Sequence, residues 1–364
     1  MTAEAGRPPS FPGSYLVIEL SNQCNLACVH CAVSENGHAH HSQLGHMRID
    51  LIESLLADLK HNQITFDTLI LFWLGEPTLH PYFTQVYRML VRAAVTHQTF
   101  NHIELHTNAI RLREGLRQTI LNQAAVRQTI HLTVDAIHPE TYRKVKGRDQ
   151  LQTVMRNIDA FLGDKARLKS KWPRIVIQYI VGSNNADEVS DFIAHWGERL
   201  DAHGLAWRAM GGQVPSGTDV VLFFRQLDCP TAALQSKENA VFEETLRLNR
   251  IPMPKHPARD IEDCQSTMHP CSGFWKSPVI YWDGQVTVCT RDNLMENTVG
   301  SIAEKPFSVL WFGDRLNEWR NAVAKGDYSD LTLCQSCFIP KSLNHTEITI
   351  EDIEAMSGFI ESRR

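Results

Sequence analysis

The sequence predicts an α/β fold in which helices cover a parallel sheet. Between residues 14 and 210, short apolar strand-like runs alternate with amphipathic helical stretches. Successive strand-then-helix units favour parallel pairing, because each parallel pair needs a crossover connection. The composition agrees: 364 residues, 43% hydrophobic and 21% charged, suit one large domain, or a large domain and a small one. Periodicity alone leaves both an incomplete (β/α) barrel and an open doubly wound sheet possible.

The predicted strands are apolar runs rich in β-branched residues. They cover residues 15–20, 68–73, 102–106, 129–134, 175–181 and 205–209. Helices are predicted between them at 49–60, 82–94 and 151–162, where apolar residues recur at helical spacing.

The alternation stops between residues 211 and 263. Closely spaced glycines and prolines predict a loop from Gly211 to Gly217, and a lone helix is predicted at 237–249. Prolines at 252, 254 and 257 then mark a linker. Farther on, the Asp283-Gly284 dipeptide between two apolar runs predicts a β-hairpin, and 307–324 predicts one helix.

The charge pattern excludes two classes of partner. With a formal net charge of -5 and basic residues spread out, the chain lacks the electrostatic footprint of a nucleic-acid or anionic-membrane protein. Residues 1–13 have no apolar segment typical of a signal peptide, and the apolar run 69–74 is too short to cross a bilayer. We therefore expect a cytoplasmic protein with no nucleic-acid or membrane partner.

A first group of cysteines directly follows the first predicted strand. Cys24, Cys28 and Cys31 have the spacing C-x3-C-x2-C. Thiolates are the usual ligands of iron–sulfur clusters, and three ligands for four irons leave one iron open to a small molecule. The alternative is a tetrahedral zinc site with His30 as the fourth ligand, although structural zinc usually takes two separated ligand pairs.

This spacing at the end of the first strand resembles the signature of the radical S-adenosylmethionine (SAM) superfamily. The resemblance covers residues 14–210 and implies a partial (β/α)6 TIM-like barrel. It also implies that SAM chelates the open iron of a [4Fe–4S] cluster. An external donor such as flavodoxin or ferredoxin would reduce this cluster. SAM would then split into methionine and a 5′-deoxyadenosyl radical that removes a hydrogen atom from the substrate.

Further motifs resemble the SAM contacts of that family, and all lie at the C-terminal ends of predicted strands, where (β/α) barrels carry their chemistry. Gly75-Glu76 resembles the Gly-Gly-Glu motif, with Leu74 in place of the first glycine. Gln178 similarly replaces the first glycine of the fifth-strand motif. The resemblance assigns cofactor contacts to His30, Gly75, Glu76, Asn108, Thr133, Gln178 and Ile180.

A second group of cysteines supplies four more thiolates: Cys271, Cys289, Cys334 and Cys337. Taken alone, these cysteines would suit structural zinc. Beside the first group, they resemble the C-terminal twitch domain, a shortened SPASM domain that holds one auxiliary [4Fe–4S] cluster. Four thiolates fill all four irons, so we expect this cluster to transfer electrons rather than bind substrate.

The sequence and the resemblance together divide the chain into five parts. They are a flexible N-terminal tail (1–13), the partial barrel (14–210), a linker or substrate-covering segment (211–263), the auxiliary-cluster domain (264–345) and a C-terminal tail (346–364).

Two cysteines fall outside both groups. Cys229 and Cys264 are either incidental thiols or catalytic hydrogen donors that quench a substrate radical, which would make the enzyme an epimerase. Cys264 is alternatively an auxiliary-cluster ligand. Further candidates for substrate contact are Glu104, Asp135, Tyr142, Arg143 and Arg208.

In the family that this chain resembles, single-cluster twitch domains often accompany small hydroxylated substrates in antibiotic biosynthesis. The leading hypothesis is therefore an oxidoreductase that dehydrogenates a secondary alcohol of a sugar or aminocyclitol intermediate. The alternatives are an epimerase with a cysteine hydrogen donor, a peptide-modifying (RiPP-maturing) enzyme, and a non-catalytic iron–sulfur or zinc protein. Only 23 residues precede Cys24, so we expect no fused peptide-recognition domain there.

Overall fold

The computed structural model describes residues 8, 10–31, 43–229, 232–254, 268–337, 339–341 and 348–362. These residues form a ten-stranded sheet flanked by helices. Its strands are β1 (Tyr15–Ile18), β2 (Phe66–Leu71), β3 (Phe100–Thr107), β4 (Arg127–Thr133), β5 (Arg174–Val181), β6 (Trp207–Gly211), β7 (Val220–Gln226), β8 (Val279–Ile280), β9 (Gln285–Thr287) and β10 (Thr298–Ser301).

The strands are arranged in the order β10-β9-β8-β1-β2-β3-β4-β5-β7-β6. Strands β1 to β7 pair only in parallel, so their C-terminal ends share one edge of the sheet. The predicted hairpin around Gly284 is present as antiparallel β8 and β9. It continues the main sheet because β8 pairs with β1, placing Val279 beside Val17.

Strand β7 corrects the sequence-based prediction. The pattern predicts a loop and linker from residue 211, but Val220–Gln226 forms a strand between β5 and β6. Its first five residues, Val-Val-Leu-Phe-Phe, are all buried, which explains why this segment enters the sheet. The strand predicted at 205–209 is present as β6, which pairs with β7 at the edge of the sheet. Chain order therefore does not give strand order here.

Four α-helices match the predictions at 49–60, 82–94, 151–162 and 237–249, with ends that differ by up to six residues. The described residues contain twelve α-helices in all. They are α1 (Ile49–His61), α2 (Phe83–His97), α3 (Glu114–Leu121), α4 (Pro139–Lys146), α5 (Leu151–Leu168), α6 (Val189–Ala202), α7 (Ala232–Leu248), α8 (Gly273–Lys276), α9 (Phe307–Trp311), α10 (Asp314–Val323), α11 (Thr332–Ser336) and α12 (Ile350–Glu361).

The prediction of a single helix at 307–324 is wrong. The structure has two helices, α9 and α10, which Gly313 separates with an extended backbone at ψ 168°. A Cβ at Gly313 would lie 2.4 Å from the Val309 carbonyl oxygen, so this sharp break needs glycine.

Both predicted tails contain packed structure. In the N-terminal segment, Phe11 is buried and belongs to the main hydrophobic core. In the C-terminal segment, α12 begins with a capping box at Thr349 and buries Met356 and Phe359. An ion pair of 2.8 Å between Asp352 and Lys276 also ties α12 to α8. Apolar burial explains both departures from the predicted tails.

The two faces of the parallel sheet differ in character. On the outer face, residues such as Ile103 and Leu105 are fully buried in the main hydrophobic core with the helices. On the inner face, β3 presents His102, Glu104 and His106 in alternation with them. The sheet therefore combines an apolar outer face with a partly polar inner face. Of the described helices, none is both long enough and apolar enough to span a membrane.

Candidate functional site

The C-terminal ends of the parallel strands open onto a cavity of about 420 Å³. The sequence-predicted residues that line it are Cys24, Cys28, Cys31, His30, Gly75, Glu76, Asn108, Thr133, Gln178 and Ile180. They come from five separate stretches of chain, so the fold brings the first cysteine group and every residue assigned a SAM contact to one cavity. Three thiols on one wall of a cavity fit a cubane cluster that keeps one iron open.

Backbone contacts hold the first cysteine loop in place. The backbone N–H of Ala27 donates to the Lys146 carbonyl oxygen at 3.1 Å, and the N–H of Val29 donates to the Val145 carbonyl oxygen at 3.0 Å. Gly147, which ends α4 with φ +71°, lies so close that a Cβ there would be 2.4 Å from the Ala27 carbonyl oxygen. The C-terminus of α4 is therefore the support on which the loop rests.

Gly75 and Glu76 connect the end of β2 to the same loop. The backbone N–H of Glu76 donates to the Gln23 carbonyl oxygen at 2.8 Å. The buried Glu76 carboxylate accepts hydrogen bonds from the Thr107 hydroxyl at 2.7 Å and the Asn108 N–H at 2.8 Å. Neighbouring donors therefore occupy the Glu76 side chain, and Gly75 lines the cavity beside it. Burial raises the pKa of Glu76 despite these bonds.

Burial controls the electrostatics of the first cysteine group. It raises the pKa of Cys24 to about 12, with Glu76 and the other two thiols adding to the effect. Burial also raises the pKa of Cys28, against the opposing charge of Lys146. Free thiolates are therefore disfavoured here, and a bound cationic metal would be needed to stabilise them.

A buried ion pair between Lys146 and Asp135 lies beneath the loop. The other carboxylate oxygen of Asp135 accepts from the backbone N–H of Ile180 at 2.7 Å, which joins the ends of β4 and β5. His30 Nε2 lies 3.8 Å from Asp135 Oδ2, but burial lowers the pKa of His30 to about 4, so its ring is neutral. Lys146 is a cavity residue that sequence reasoning missed, because nothing in the local pattern marks this lysine as buried.

The four thiols of the second group also lie close together. Cys271 and Cys337 act electrostatically on Cys289, and all three act on Cys334. Burial raises the pKa of Cys289 to about 12, so these thiols, too, need a metal to ionise. The Asn297 amide donates to Cys334 Sγ at 3.6 Å. This donor set fits a fully ligated cluster with hydrogen-bonded sulfur ligands.

A short segment links the second cysteine group to the cavity. Cys289 is followed directly by Thr290 and Arg291, which line the cavity with Asn293. The backbone N–H of Arg291 donates to Cys289 Sγ at 3.2 Å. The cavity wall therefore continues along the chain directly from Cys289, and the Arg291 backbone hydrogen-bonds the Cys289 thiol.

Of the remaining substrate-contact candidates, Asp135 lines the cavity, but Glu104, Tyr142 and Arg143 are not among its described residues. Cys229 lies in the segment after β7, next to the cavity residue Asp228, but is not among the described residues that line the cavity. Cys264 lies outside the described residues. Arg208 forms an ion pair of 2.6 Å with Asp219 and is not a described cavity residue either. Arg225 and the residues that follow it at the end of β7 also line the cavity. The sequence pattern did not reveal them, because it predicts a loop for this segment.

Comparisons with known proteins match the two regions of the chain that contain the cysteine groups. The family model described as "Radical SAM superfamily" matches residues 18–189, and the SPASM model, described as "Iron-sulfur cluster-binding domain", matches residues 271–338. A GTP 3′,8-cyclase of Peptoclostridium acidaminophilum is 24% identical over 183 residues, 50% of this chain and 51% of the relative. The chain spans about half the length of the curated relatives it matches.

Two solved structures share the fold. The anSMEcpe protein with bound AdoMet is 17% identical with a TM-score of 0.57, covering 97% of this chain and 94% of that chain. Streptococcus suis SuiB bound to S-adenosylmethionine is 13% identical with a TM-score of 0.54, covering 92% of this chain and 72% of that chain. The likeness to these structures confirms the predicted partial (β/α)6 TIM-like barrel. The two family models confirm the C-terminal iron–sulfur domain, and SAM and [4Fe–4S] clusters as the cofactors. Residues 18–189 therefore form a radical SAM superfamily domain, and residues 271–338 form a C-terminal SPASM-type iron–sulfur cluster-binding domain.

Proposed function

We propose that this radical SAM enzyme oxidises a secondary alcohol of a small sugar or aminocyclitol to a ketone. The observation that carries the proposal is the segment that begins at Cys289, which holds an auxiliary thiol and continues directly into the cavity wall at Thr290 and Arg291. Cys24, Cys28 and Cys31 would hold the SAM-binding cluster, and the second cysteine group would hold the auxiliary cluster. An electron acceptor would then lie beside the bound substrate.

The chemistry of alcohol oxidation needs that arrangement. When bound, the reduced SAM-binding cluster and SAM supply a 5′-deoxyadenosyl radical that removes a hydrogen atom from a carbinol carbon. The resulting substrate radical becomes a ketone by losing one proton and one electron. A cluster with four thiolate ligands has no open iron, so electron transfer is its available role. An external donor such as flavodoxin or ferredoxin would reduce the first cluster.

The lining of the cavity favours a polar substrate. Amide and charged side chains contribute to its wall, among them Gln178, Arg225, Gln226, Asp228 and Asn293. Such groups can pair with hydroxyl and amino substituents, whereas burial beneath an apolar substrate would desolvate them without that gain.

Epimerisation is the second candidate function. Cys229 lies one residue from Asp228 in the cavity wall, so a modest movement of this segment would bring a thiol to the substrate. A thiol that donates a hydrogen atom to the substrate radical would invert the carbon without oxidising it. Peptide modification is a further alternative, since anSMEcpe and SuiB have each been solved with a bound peptide.

The test uses the reconstituted enzyme under anaerobic conditions with SAM and dithionite. Probes are myo-inositol, scyllo-inosamine and glucosamine, each deuterated at the carbinol carbons. Alcohol oxidation should transfer deuterium to 5′-deoxyadenosine and form one ketone for each 5′-deoxyadenosine. Cys24→Ser should abolish both products, whereas Cys334→Ser should reduce ketone formation more than 5′-deoxyadenosine formation.

The alternatives give different products in the same experiment. Epimerisation in D₂O would place solvent deuterium on the inverted carbon and would stop in Cys229→Ala if that thiol is the donor. If no alcohol probe raises 5′-deoxyadenosine above the probe-free level, alcohol oxidation is rejected for these substrates and peptide probes come next.

A further inference from the structure

Three ionisable side chains meet on the inner face of the sheet, next to the cavity. Glu104 and His106 come from β3, and His131 is the direct neighbour of His106 on β4. Glu104 Oε1 lies 2.6 Å from His106 Nε2 and 3.4 Å from His131 Nε2. Of these residues, His106 itself lines the cavity, together with Thr107 and Asn108.

The His106 ring is held between two other rings. Its centroid lies 4.1 Å from that of His131 with an interplanar angle of 2°, and 4.5 Å from that of Phe72 with an angle of 23°. These contacts fix the plane of the imidazole, and the hydrogen bond to Glu104 fixes its rotation within that plane. The ring is therefore preorganised before any ligand binds.

The charge of the Glu104 carboxylate assigns the hydrogen-bonding role of each His106 ring nitrogen. Burial alone would raise the pKa of Glu104, but His131 and His106 hold it below the ordinary value, so the carboxylate is ionised. An ionised carboxylate only accepts hydrogen bonds, so His106 Nε2 carries the donated hydrogen. Within the described part of the chain, no hydrogen bond occupies His106 Nδ1, which in the neutral ring is an acceptor.

Two histidines and a carboxylate are also a common set of metal ligands, and their ligand atoms lie within 4.8 Å of one another. The ring geometry argues against a shared metal ion. In-plane lone pairs on two parallel, stacked rings run side by side rather than converging on one point. The short hydrogen bond between Glu104 and His106 instead resembles the carboxylate–imidazole pair of a general base.

We propose that His106 accepts the proton released during substrate oxidation, and that Glu104 is the positioning residue that holds the required tautomer. The inference rests on the proposed alcohol oxidation. The 5′-deoxyadenosyl group would take the hydrogen atom of the carbinol C–H bond, leaving a carbon radical with an intact O–H. The O–H proton would move to His106 Nδ1, and one electron would pass to the auxiliary [4Fe–4S] cluster that the second cysteine group would hold. The C–O bond would then become C=O.

The experiment compares His106→Gln and Glu104→Gln with a matched control, His102→Gln. His102 lies on the same face of β3, where it contacts the Thr129 hydroxyl at 2.9 Å, and it does not belong to the described cavity wall. The reconstituted enzymes receive the alcohol probe that the wild type oxidises. The readout is the amount of ketone formed per deuterated 5′-deoxyadenosine.

Loss of a general base should lower the ketone yield per 5′-deoxyadenosine by about 100-fold in His106→Gln, and less in Glu104→Gln. The His102→Gln control should match the wild type. Equilibrium dialysis of the probe with SAM, in the absence of reductant, should show affinity changed by less than about threefold in both test variants. This separates proton transfer from substrate binding.

Other results would overturn the inference. An unchanged ketone yield in His106→Gln would remove its role while leaving alcohol oxidation intact. A divalent metal beyond the cluster iron in the wild type, lost in His106→Gln, would establish a metal site instead. If His106→Gln does not fold, an unchanged yield in Glu104→Gln would count equally against the inference. A wild type that forms no ketone would reject the proposed function and this inference with it.

Discussion

Gly75 packs directly against Ser21: a Cβ placed on Gly75 would lie 2.2 Å from the Ser21 carbonyl oxygen. This contact brings the end of β2 against the segment that leads into Cys24, and the adjacent Glu76 N–H bonds the Gln23 carbonyl oxygen. The position of the first cysteine loop therefore depends on the absence of a side chain at Gly75.

Gly75→Ala should destabilise the protein by about 1–3 kcal/mol, because the added methyl group must displace rigid backbone. It should also lower the iron bound after reconstitution. The measurements are urea unfolding and iron content. The matched control is Gly115→Ala in α3. A Cβ at Gly115 meets no atom within 4 Å, so this variant should raise the free energy of unfolding by up to ~1 kcal/mol. Equal behaviour of the two variants would contradict the proposed packing constraint.

Lys146→Met should lower the free energy of unfolding by about 3–5 kcal/mol, because it leaves the Asp135 carboxylate buried without its cationic partner. The midpoint of urea unfolding measures this loss. Arg48→Met is the control, since the Arg48–Asp50 pair lies on the surface, where solvent screens the charges and the loss of the pair should change stability little. Adding Asp135→Asn to Lys146→Met should recover part of the loss. If the double variant is less stable than the single one, the explanation is wrong.

The two cysteine groups should contribute iron independently. Cys334→Ser should lower the iron content from about eight to about four atoms per chain, because it removes a ligand of the auxiliary site. Iron and sulfide analysis after anaerobic reconstitution measures this. Cys229→Ser, which changes a thiol outside both groups, should keep the full content. Full iron in Cys334→Ser would show that this thiol is not a required ligand.

Glu19 should make the stability depend on pH. Its carboxylate accepts from the N–H groups of Leu74 at 3.1 Å and Trp282 at 3.2 Å, joining the barrel to the hairpin. Burial nevertheless raises the pKa of Glu19 from 4.5 to about 7. Between these two values the folded protein keeps a proton that the unfolded chain has released, so stability falls as pH rises.

Glu19→Gln removes this titration. Relative to the variant, the wild type should lose up to about 3 kcal/mol of unfolding free energy between pH 4.5 and pH 7, with no further relative change above that range. Urea unfolding at a series of pH values measures the difference. Parallel curves for the two proteins would contradict the raised pKa.

Local patterns predicted part of this structure. The alternation of strands and helices, the Asp283-Gly284 turn and the two cysteine groups depend on neighbouring residues, so they can be read from sequence. Strand β7 was missed because the glycines and prolines before Val220 resemble a loop, while its place beside β5 depends on distant pairing. The break at Gly313 likewise follows from a close backbone approach that helical periodicity does not reveal.

By itself, the sequence determined the fold class, the family and the cofactors, because cysteine spacing and strand-end motifs carry that chemistry locally. Only the tertiary structure decided that Lys146 is buried against Asp135, that Cys289 adjoins the cavity wall and that Glu104 contacts both His106 and His131. The Lys146–Asp135 and His131–Glu104 contacts join separate elements, and Thr290 reaches the cavity only because the segment after Cys289 packs against the strand ends. Their formation depends on strand order and burial, which local sequence patterns do not specify.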